Sequence, residues 1–359
     1  MNQGTQNSSL KRVLSGMRPT GKLHLGNYMG ALYNWVRLQQ EYDCYFFVAD
    51  WHALTTDYAD TSGVKQNTLE VALDWLAAGL DPERSVLFVQ SLVPQHAELH
   101  LLLSMITPLG WLERVPTYKE QQQQIGDVSA GGKDLSTYGF LGYPLLQSAD
   151  ILVYQADYVP VGQDQVAHVE LTREVARRFN HFYPPLGGTV QDSAPILPEP
   201  EVLLTPSPKL PGTDGRKMSK SYGNTILLTD PDPVVRKKLK TMVTDPARVR
   251  RSDPGDPDVC PVGDLHKVFS SQQTLERVYA GCRSAGIGCI ECKGWVADAI
   301  VAELNPLQER RRHYEERPGL VNEILYAGSA LARRRASETM QQVRAAAHLL
   351  EPQESESGP

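Results

Sequence analysis

The chain has 359 residues, of which 41% are hydrophobic and 22% are charged, and its formal net charge is −6. This composition is ordinary for a globular protein, and no apolar run reaches the roughly 20 residues of a transmembrane helix, so we expect no membrane partner. Five cysteines are too few for a fold built on disulfides, and the polar first residues lack the apolar core of a signal peptide, which predicts a cytoplasmic protein.

Short apolar runs alternate with helical periodicities through the first part of the chain. Strands are predicted at residues 13–14, 44–49 and 85–89, and helices after residue 25 and over residues 64–78. Wholly apolar strands separated by helices are typical of a parallel sheet that is covered on both faces. The sequence therefore predicts an α/β fold with a Rossmann-like, doubly wound parallel sheet.

Residues 91–141 interrupt this alternation, and we interpret them as an insertion between the two halves of the sheet. The alternation resumes with a helix through Asp150, a strand at Tyr158–Val161 and a helix over residues 165–179. Residues 184–216 are rich in Pro and Gly, which predicts loops.

From residue 231 onward the pattern is mostly helical. We therefore predict a catalytic domain over residues 11–230 and an all-α domain over residues 231–350. The polar first residues and the acidic tail predict disorder at residues 1–10 and 351–359.

The segment 16–27, Gly-Met-Arg-Pro-Thr-Gly-Lys-Leu-His-Leu-Gly-Asn, joins the first predicted strand to the first predicted helix. In an open α/β sheet such a loop lies at the carboxyl end of a strand, where ligands bind, and the start of a helix suits phosphate. Gly26 permits close approach of a nucleotide, and His24 and Asn27 add side-chain donors. The spacing is neither G-x-G-x-x-G nor a Walker sequence, so an ordinary strand–helix turn is an equal alternative.

Two more segments carry groups that suit a nucleotide. Residues 217–221, Lys-Met-Ser-Lys-Ser, place two lysines and two hydroxyls on a Gly-flanked loop, which suits a clamp on polyphosphate as charge develops. Residues 162–165, Gly-Gln-Asp-Gln, follow a strand, where a carboxylate commonly accepts from ribose hydroxyls. The alternatives are a soluble loop for the first segment and a helix N-cap by Asp164 for the second.

Tyr143, Gln147 and Asp150 have offsets of four and three residues, which place them on one face of a helix. Polar side chains within apolar sequence need partners when they are buried. This face suits a pocket for a small ligand with polar ends. Indole offers only an N–H donor, and Asp150 is a suitable acceptor for it.

Together these motifs resemble class I aminoacyl-tRNA synthetases and, among them, the tryptophanyl-tRNA synthetases, over residues 12–350. His24 to Asn27 stand where the family has its HIGH signature, residues 217–221 are its KMSKS signature unaltered, and residues 162–165 are similar to its G-x-D-Q motif. The resemblance implies a Rossmann-fold catalytic domain, a helical anticodon-binding domain and a homodimer.

The resemblance also implies a reaction and its residues. L-tryptophan and Mg²⁺-ATP would form tryptophanyl-adenylate, which esterifies tRNA(Trp) and releases AMP, diphosphate having left in the first step. His24, Lys217 and Lys220 would stabilise the transferring phosphates. Tryptophan would be bound by Tyr143, Gln147, Asp150 and Gln165. ATP would be bound by Arg18, Pro19, Thr20, His24, Gly26, Asn27, Gly162, Gln163, Asp164, Leu210, Lys217, Met218, Ser219, Lys220 and Ser221.

Two other functions stay open at this point. Tyrosyl-tRNA synthetases share the fold and a Tyr-x3-Gln-x2-Asp helix, but Met17 and the segment 49–53, Ala-Asp-Trp-His-Ala, resemble the tryptophanyl enzymes. A non-catalytic paralogue that senses tryptophan or binds RNA is the alternative from another class of function. The intact signatures, with both lysines and His24, favour the enzyme.

Four of the five cysteines, Cys260, Cys282, Cys289 and Cys292, fall within 33 residues with the spacing C-x21-C-x6-C-x2-C. Four thiolates suit zinc or an iron–sulfur cluster, whereas four small buried hydrophobes are the alternative. The segment resembles a subset of bacterial tryptophanyl-tRNA synthetases, which implies a structural [4Fe–4S] cluster beside the anticodon-binding region, with Zn²⁺ as the alternative.

Overall fold

A computed structural model describes residues 10–116, 134–185, 194–204 and 209–350. The disorder predicted for residues 1–10 and 351–359 therefore falls, apart from residue 10, outside the described residues. The same is true of residues 117–133 within the predicted insertion. Among the described residues, no helix combines the length and the apolar character needed to cross a membrane.

The centre of the molecule is a five-stranded parallel sheet with the strand order β3-β2-β1-β4-β5. The prediction of a Rossmann-like, doubly wound sheet is confirmed, as are its four predicted strands. The strands are β1 Arg12–Met17, β2 Asp43–Val48, β3 Ser85–Val89, β4 Tyr158–Val161 and β5 Glu201–Leu204.

Strand β5 lies within residues 184–216, for which the sequence predicts loops, and that prediction is wrong at Glu201–Leu204. The strand has only four residues and pairs with β4 alone, at the edge of the sheet. Its side chains are half-buried or exposed, so it lacks the apolar run that marks a covered strand. Pro198 and Pro200 directly before it also read as loop signals.

Helices cover both faces of the sheet and make up the chain after residue 231. The predicted helix over Val64–Ala78 is confirmed to the residue. The helices are α1 Leu25–Asn27, α2 Tyr33–Leu38, α3 Asp50–Asp57, α4 Val64–Ala78, α5 Gln95–Ser104, α6 Leu109–Leu112, α7 Tyr138–Leu152, α8 Val166–Phe182, α9 Asp232–Thr241, α10 Pro261–Phe269, α11 Gln272–Arg283, α12 Cys289–Glu315 and α13 Pro318–Ala346.

Helices α1 and α2 are joined by one turn of π-helix, Tyr28–Leu32. The N–H of Tyr33 reaches back five residues to the carbonyl of Tyr28. Immediately after this turn, Trp35 stacks on Phe46 of β2 with ring centroids 4.7 Å apart. The π turn therefore lies between the loop 16–27 and a helix anchored in the core, a position typical of functional sites.

Successive residues of β1 point to opposite faces of the sheet and enter two separate buried clusters. Val13 belongs to the cluster that also contains Val296 and Ile300 of α12, and Leu14 belongs to the other. The first cluster is thus continuous from the sheet into the helices after residue 231. The boundary near residue 230 is a change from strands to helices along the chain, and the division into two domains stays a prediction.

The last long helix, α13, covers the edge of the sheet at β3. A Cβ added at Gly328 would lie 1.9 Å from the carbonyl oxygen of Leu87, so only glycine permits this approach. The hydroxyl of Ser329 accepts a hydrogen bond from the N–H of Val89 at 3.2 Å. An edge strand that is paired or covered is protected from association with other chains.

Candidate active site

The segment 16–27 begins with the last two residues of β1, Gly16 and Met17, which the sequence assigns to the loop. Strand β1 lies between β2 and β4, where the strand order reverses. Ligands bind at such switch points, beyond the carboxyl ends of the strands. A cavity of about 380 Å³ opens here between β1, β4 and α7. The four residues predicted to bind tryptophan all line this cavity, as do Arg18 and Gly162: Tyr143, Gln147, Asp150 and Gln165.

Asp150 is almost completely buried and accepts three side-chain hydrogen bonds. Its Oδ1 lies 2.7 Å from Nε2 of Gln90 and 2.6 Å from Nδ1 of His96, and its Oδ2 lies 2.7 Å from Nε2 of His52. Burial raises the pKa of Asp150, but His52 and His96 outweigh it and hold the pKa well below its ordinary value. The carboxylate therefore stays ionised inside the cavity wall.

None of these three partners of Asp150 is among the site residues predicted from the sequence, although the segment 49–53 contains His52. His52 lies in α3 just beyond β2, Gln90 follows β3 directly, and His96 lies in α5 and also contacts the hydroxyl of Tyr154 at 2.8 Å. The signal was present for two of them, because polar residues that follow apolar strands lie at the ligand-binding edge of the sheet. His96 gives no such signal, since its place depends on tertiary packing.

His24 caps the N-terminus of α1 through its imidazole. Its Nδ1 accepts from the N–H of Asn27 at 3.3 Å, and the Asn27 side chain accepts from the His24 N–H at 3.2 Å. Burial, and then the charges of Lys220 and Lys217, lower the pKa of His24 to about 4. The ring is therefore neutral near pH 7 and lies close to both signature lysines.

The first signature segment pairs through its backbone with residues 226–228, which follow the second signature segment. The N–H of Leu25 donates to the carbonyl of Ile226 at 3.0 Å, and the N–H of Leu228 donates to the carbonyl of Leu23 at 2.9 Å. Lys220 Nζ donates to the carbonyl of Thr20 at 2.7 Å, and further along the same loop to that of Gly21 at 3.0 Å. Segments about 190 residues apart in the sequence thus lie side by side, and their joint role in binding ATP stays a prediction.

Within the loop 217–221 only Met218 is buried, Ser219 and Lys220 are half-buried, and the two end residues are exposed. Met218 is buried, its N–H donates to the carbonyl of Leu210 at 2.9 Å, and Lys217 is exposed. The side chain of Asn224 holds the loop, because its Oδ1 accepts from the N–H of Ser219 at 2.8 Å and its Nδ2 donates to the carbonyl of Lys217 at 3.2 Å. Asn224 is a contact that the sequence analysis missed.

Arg18 lies between the two parts of the site. Its guanidinium donates to the hydroxyl of Thr56 and lies 3.4 Å from the carboxylate of Asp57, and it also lines the cavity that contains Asp150. Burial lowers the pKa of Arg18, which Asp57 opposes. The remaining predicted ATP ligands lie in the segments already described: Pro19 is buried, Gly26 lies against Met218, Gln163 and Ser221 are exposed, and the side chain of Asp164 lies outside the described residues.

The four clustered cysteines, Cys260, Cys282, Cys289 and Cys292, are free thiols that line one small cavity with Arg248. Arg248 Nη1 lies 3.8 Å from Sγ of Cys282, and its Nη2 donates to the carbonyl of Ile287 at 2.6 Å. Burial, and then the other three cysteines, raise the pKa of Cys292 to about 12. Among the described residues, no three His, Cys, Asp or Glu side chains converge closely enough to share one metal ion.

The chain is similar to known proteins over most of its length. The model of the family "tRNA synthetases class I (W and Y)" matches residues 6–305. The chain is 52% identical to the tryptophan–tRNA ligases of Ralstonia nicotianae and Thermotoga maritima, in alignments that cover 94% of this chain and 98% and 99% of those proteins. It is also similar to the tryptophanyl-tRNA synthetase of Campylobacter jejuni complexed with ADP and tryptophan, with a TM-score of 0.80, 33% identity and coverage of 94% and 100% of the two chains.

Proposed function

The chain belongs to the class I tRNA synthetase family of the tryptophan and tyrosine enzymes, and from this premise we propose that it acts as a tryptophan–tRNA ligase. The observation that carries the proposal is that Lys220 of the second signature segment donates to the backbone of the loop that carries the first, beside a cavity lined by the ionised, buried Asp150. Relatives named tryptophan–tRNA ligase align over nearly the whole chain, which favours tryptophan over tyrosine.

In the first step the carboxylate of tryptophan attacks the α-phosphorus of ATP in line, a carboxyl O–P bond forms, and the bond to diphosphate breaks. ATP enters as its Mg²⁺ complex. His24 donates a hydrogen bond to a phosphate oxygen, and Lys217 and Lys220 neutralise charge that develops on the leaving diphosphate. In the second step the 2′-hydroxyl of the terminal adenosine of tRNA attacks the acyl carbon, and AMP leaves. Positioning and charge stabilisation account for the rate.

Tryptophan selection depends on the shape of the cavity and on the acceptor at Asp150. A carboxylate offers about four lone-pair positions, and protein donors occupy three of them at Asp150, so one remains for the indole N–H. Tyr143 and Gln147 lie on the same helix face and surround the amino-acid headgroup, and Gln165 accepts from the ammonium. The adenosine part lies against Gly162 to Asp164.

ATP–pyrophosphate exchange with single amino acids tests this function. We expect exchange that depends on tryptophan and is absent with tyrosine. Exchange with tyrosine alone would assign the chain to the tyrosine enzymes. Absence of exchange with both, while tryptophan still binds, would make it a non-catalytic tryptophan sensor.

The proposal includes tRNA(Trp) bound by the helices after residue 231, a cytoplasmic location and a homodimer. Leu101 lies in α5, Met105 directly follows that helix and Leu109 begins α6, and the exposed fractions of these three residues are 55%, 69% and 61%. Contiguous exposed apolar side chains mark interaction surfaces. A surface that meets its own copy across a two-fold axis is the commonest way to cover such a patch.

We also propose that Cys260, Cys282, Cys289 and Cys292 bind a structural [4Fe–4S] cluster. The donor set fits, because four thiols line one cavity and Arg248 brings a cation to their edge. Four thiolates also suit Zn²⁺, which stays the alternative. Such a cluster would hold the starts of two helices in place, because Cys260 directly precedes α10, and Cys289 and Cys292 lie in the first turn of α12.

Iron and sulfide analysis of anaerobically purified protein tests whether the cluster is present. We expect iron, acid-labile sulfide and broad visible absorbance, and loss of all three in Cys289→Ser. Cys44→Ser is the matched control, since Cys44 is buried in β2 away from the other cysteines. One zinc ion per chain without sulfide would show that the four cysteines bind zinc instead. Protein that contains neither iron nor zinc would reject both kinds of metal site.

A further inference from the structure

Asp74 of α4 is a fully buried carboxylate directly beneath the first signature segment. Its side chain is inaccessible to solvent, and its Oδ2 accepts the N–H of Leu23 at 2.7 Å. Leu23 precedes His24, and its carbonyl accepts from Leu228 beyond the second signature loop. One carboxylate oxygen therefore fixes the backbone on which His24 is mounted.

The other oxygen of Asp74 is held by helix α12. Arg311 of α12 donates to Oδ1 of Asp74, and its remaining donors reach Glu70 on α4 and Glu315 on α12. The Arg311 side chain is only 5% exposed, so the pair is buried. A guanidinium with several donors in a fixed fork orients a carboxylate more strictly than an ammonium does.

Two further observations connect the same carboxylate to Lys220 of the second signature segment, and the same helix to the residues that follow that segment. The charge of Asp74 opposes the effect of burial, which lowers the pKa of Lys220. Gln308, one turn before Arg311, donates to the carbonyls of Leu228 and Asp230 at 2.9 Å each. Helix α12 thus contacts Asp74, which holds the first signature segment, and residues 228–230, which follow the second.

We propose that Asp74 and Arg311 are positioning residues for adenylate formation, and that helix α12 is an integral part of the ATP site. This inference rests on the proposed function. The pair touches neither substrate: it acts through the backbone at Leu23 and so sets the position of His24. Because a displacement of 1 Å at a reacting group can cost about 100-fold in rate, a loosened brace should be visible in kinetics before it is visible in the fold.

The test compares Arg311→Lys, Arg311→Ala and Asp74→Asn with the wild type. We expect kcat for tryptophan-dependent exchange to fall by about 10- to 100-fold in Arg311→Ala and Asp74→Asn, with the dissociation constant of tryptophan unchanged. Arg311→Lys, which keeps the charge but not the fork, should recover part of the rate. Calorimetry with Mg²⁺-ATP alone should show weaker binding in the same order.

The matched control is Arg344→Ala. Arg344 of α13 forms a two-point ion pair with Glu98 of α5, at 2.6 and 2.5 Å, and does not approach the signature segments. It should lower the melting temperature and leave exchange unchanged. Equal losses of rate and tryptophan affinity, or equal effects of Arg344→Ala and Arg311→Ala, would overturn the inference. If Asp74→Asn does not fold, the two Arg311 variants decide. Exchange rates and ATP affinities in Arg311→Lys and Arg311→Ala that equal those of the wild type would by themselves overturn the inference.

Failure of the proposed function would look different. A wild-type chain without exchange on tryptophan would remove the ligase activity, yet ATP binding would still report on the pair. Unaltered ATP affinity in all three variants would then reject the brace independently.

Discussion

Nδ1 of His24 accepts the backbone N–H of Asn27 at 3.3 Å. A neutral imidazole carries its hydrogen on the other nitrogen, so Nε2–H is the group that can reach a ligand. With a pKa of about 4, the ring is a neutral hydrogen-bond donor under physiological conditions, not a cation or a base. The helix cap and the proposed contact with phosphate therefore use different atoms of one side chain.

Replacement of His24 by Asn separates these two roles. Asparagine is a good N-cap, so the fold should survive, whereas the donor to phosphate is lost. Removal of one preorganised donor typically costs about 100- to 1,000-fold in kcat, and we expect a loss of that order in pyrophosphate exchange. The dissociation constant of tryptophan should stay unchanged. His181→Asn, at an exposed position, is the control, and a parallel loss of tryptophan binding would contradict the assignment.

Acid should destabilise the fold partly through His24. Its pKa is about 4 in the fold against an ordinary 6.5, so the unfolded chain binds more protons between these values. Stability should therefore fall as pH drops from 6.5 toward 4, with a contribution of up to about 2 kcal/mol at pH 4.5. Urea unfolding of wild type and His24→Asn at pH 7 and pH 4.5 measures it. The variant should lose less stability on acidification, and an identical loss would refute the prediction.

Asp150→Asn should weaken tryptophan binding through one identifiable atom. A hydrogen bond to a charged acceptor contributes about 1.5–3 kcal/mol, which corresponds to about 10- to 100-fold in the dissociation constant. An analogue with sulfur in place of the indole N–H, 3-benzothienylalanine, provides the matched ligand. The substitution should cost much less for this analogue than for tryptophan. Equal costs for both ligands would place the indole N–H away from Asp150.

Met105→Glu should convert the proposed homodimer into monomers. Met105 is 69% exposed at the end of α5, between Leu101 and Leu109, and a carboxylate there would face its symmetry mate without a partner. Sedimentation analysis measures the change in association. Tyr326→Glu, a similarly exposed position on α13, is the control and should leave the dimer intact. A wild-type monomer at micromolar concentration would reject the interface.

The sequence predicts strands β2, β3 and β4 well, because each is a short and mainly apolar run. Residues 85–89 and 158–161 need no tertiary information to be recognised, since they are shielded on both faces. The edge strand Glu201–Leu204 fails this criterion, as it is only half covered and follows two prolines. What identifies it is its register with β4, which no local pattern encodes.

The sequence predicts some parts of the candidate site and not others. The signature loops are readable because Gly, Pro, Lys and His occur there at fixed offsets. The environment of Asp150 is not readable, since His52, Gln90 and His96 come from three separate elements and converge only in the folded chain. The brace formed by Asp74 and Arg311 spans 237 residues and leaves no trace in either segment alone.

The π turn at Tyr28–Leu32 fixes the number of residues between two anchors, whatever their identity. On one side His24 must cap the helix, and on the other Trp35 must stack on Phe46. Each residue advances a helix by about 100°, so deletion of a single residue in the turn would restore an α-helical ladder but rotate Trp35 away from the sheet. Point substitutions can preserve this segment, whereas a change of length by one residue would disrupt either the helix cap by His24 or the stacking of Trp35 on Phe46.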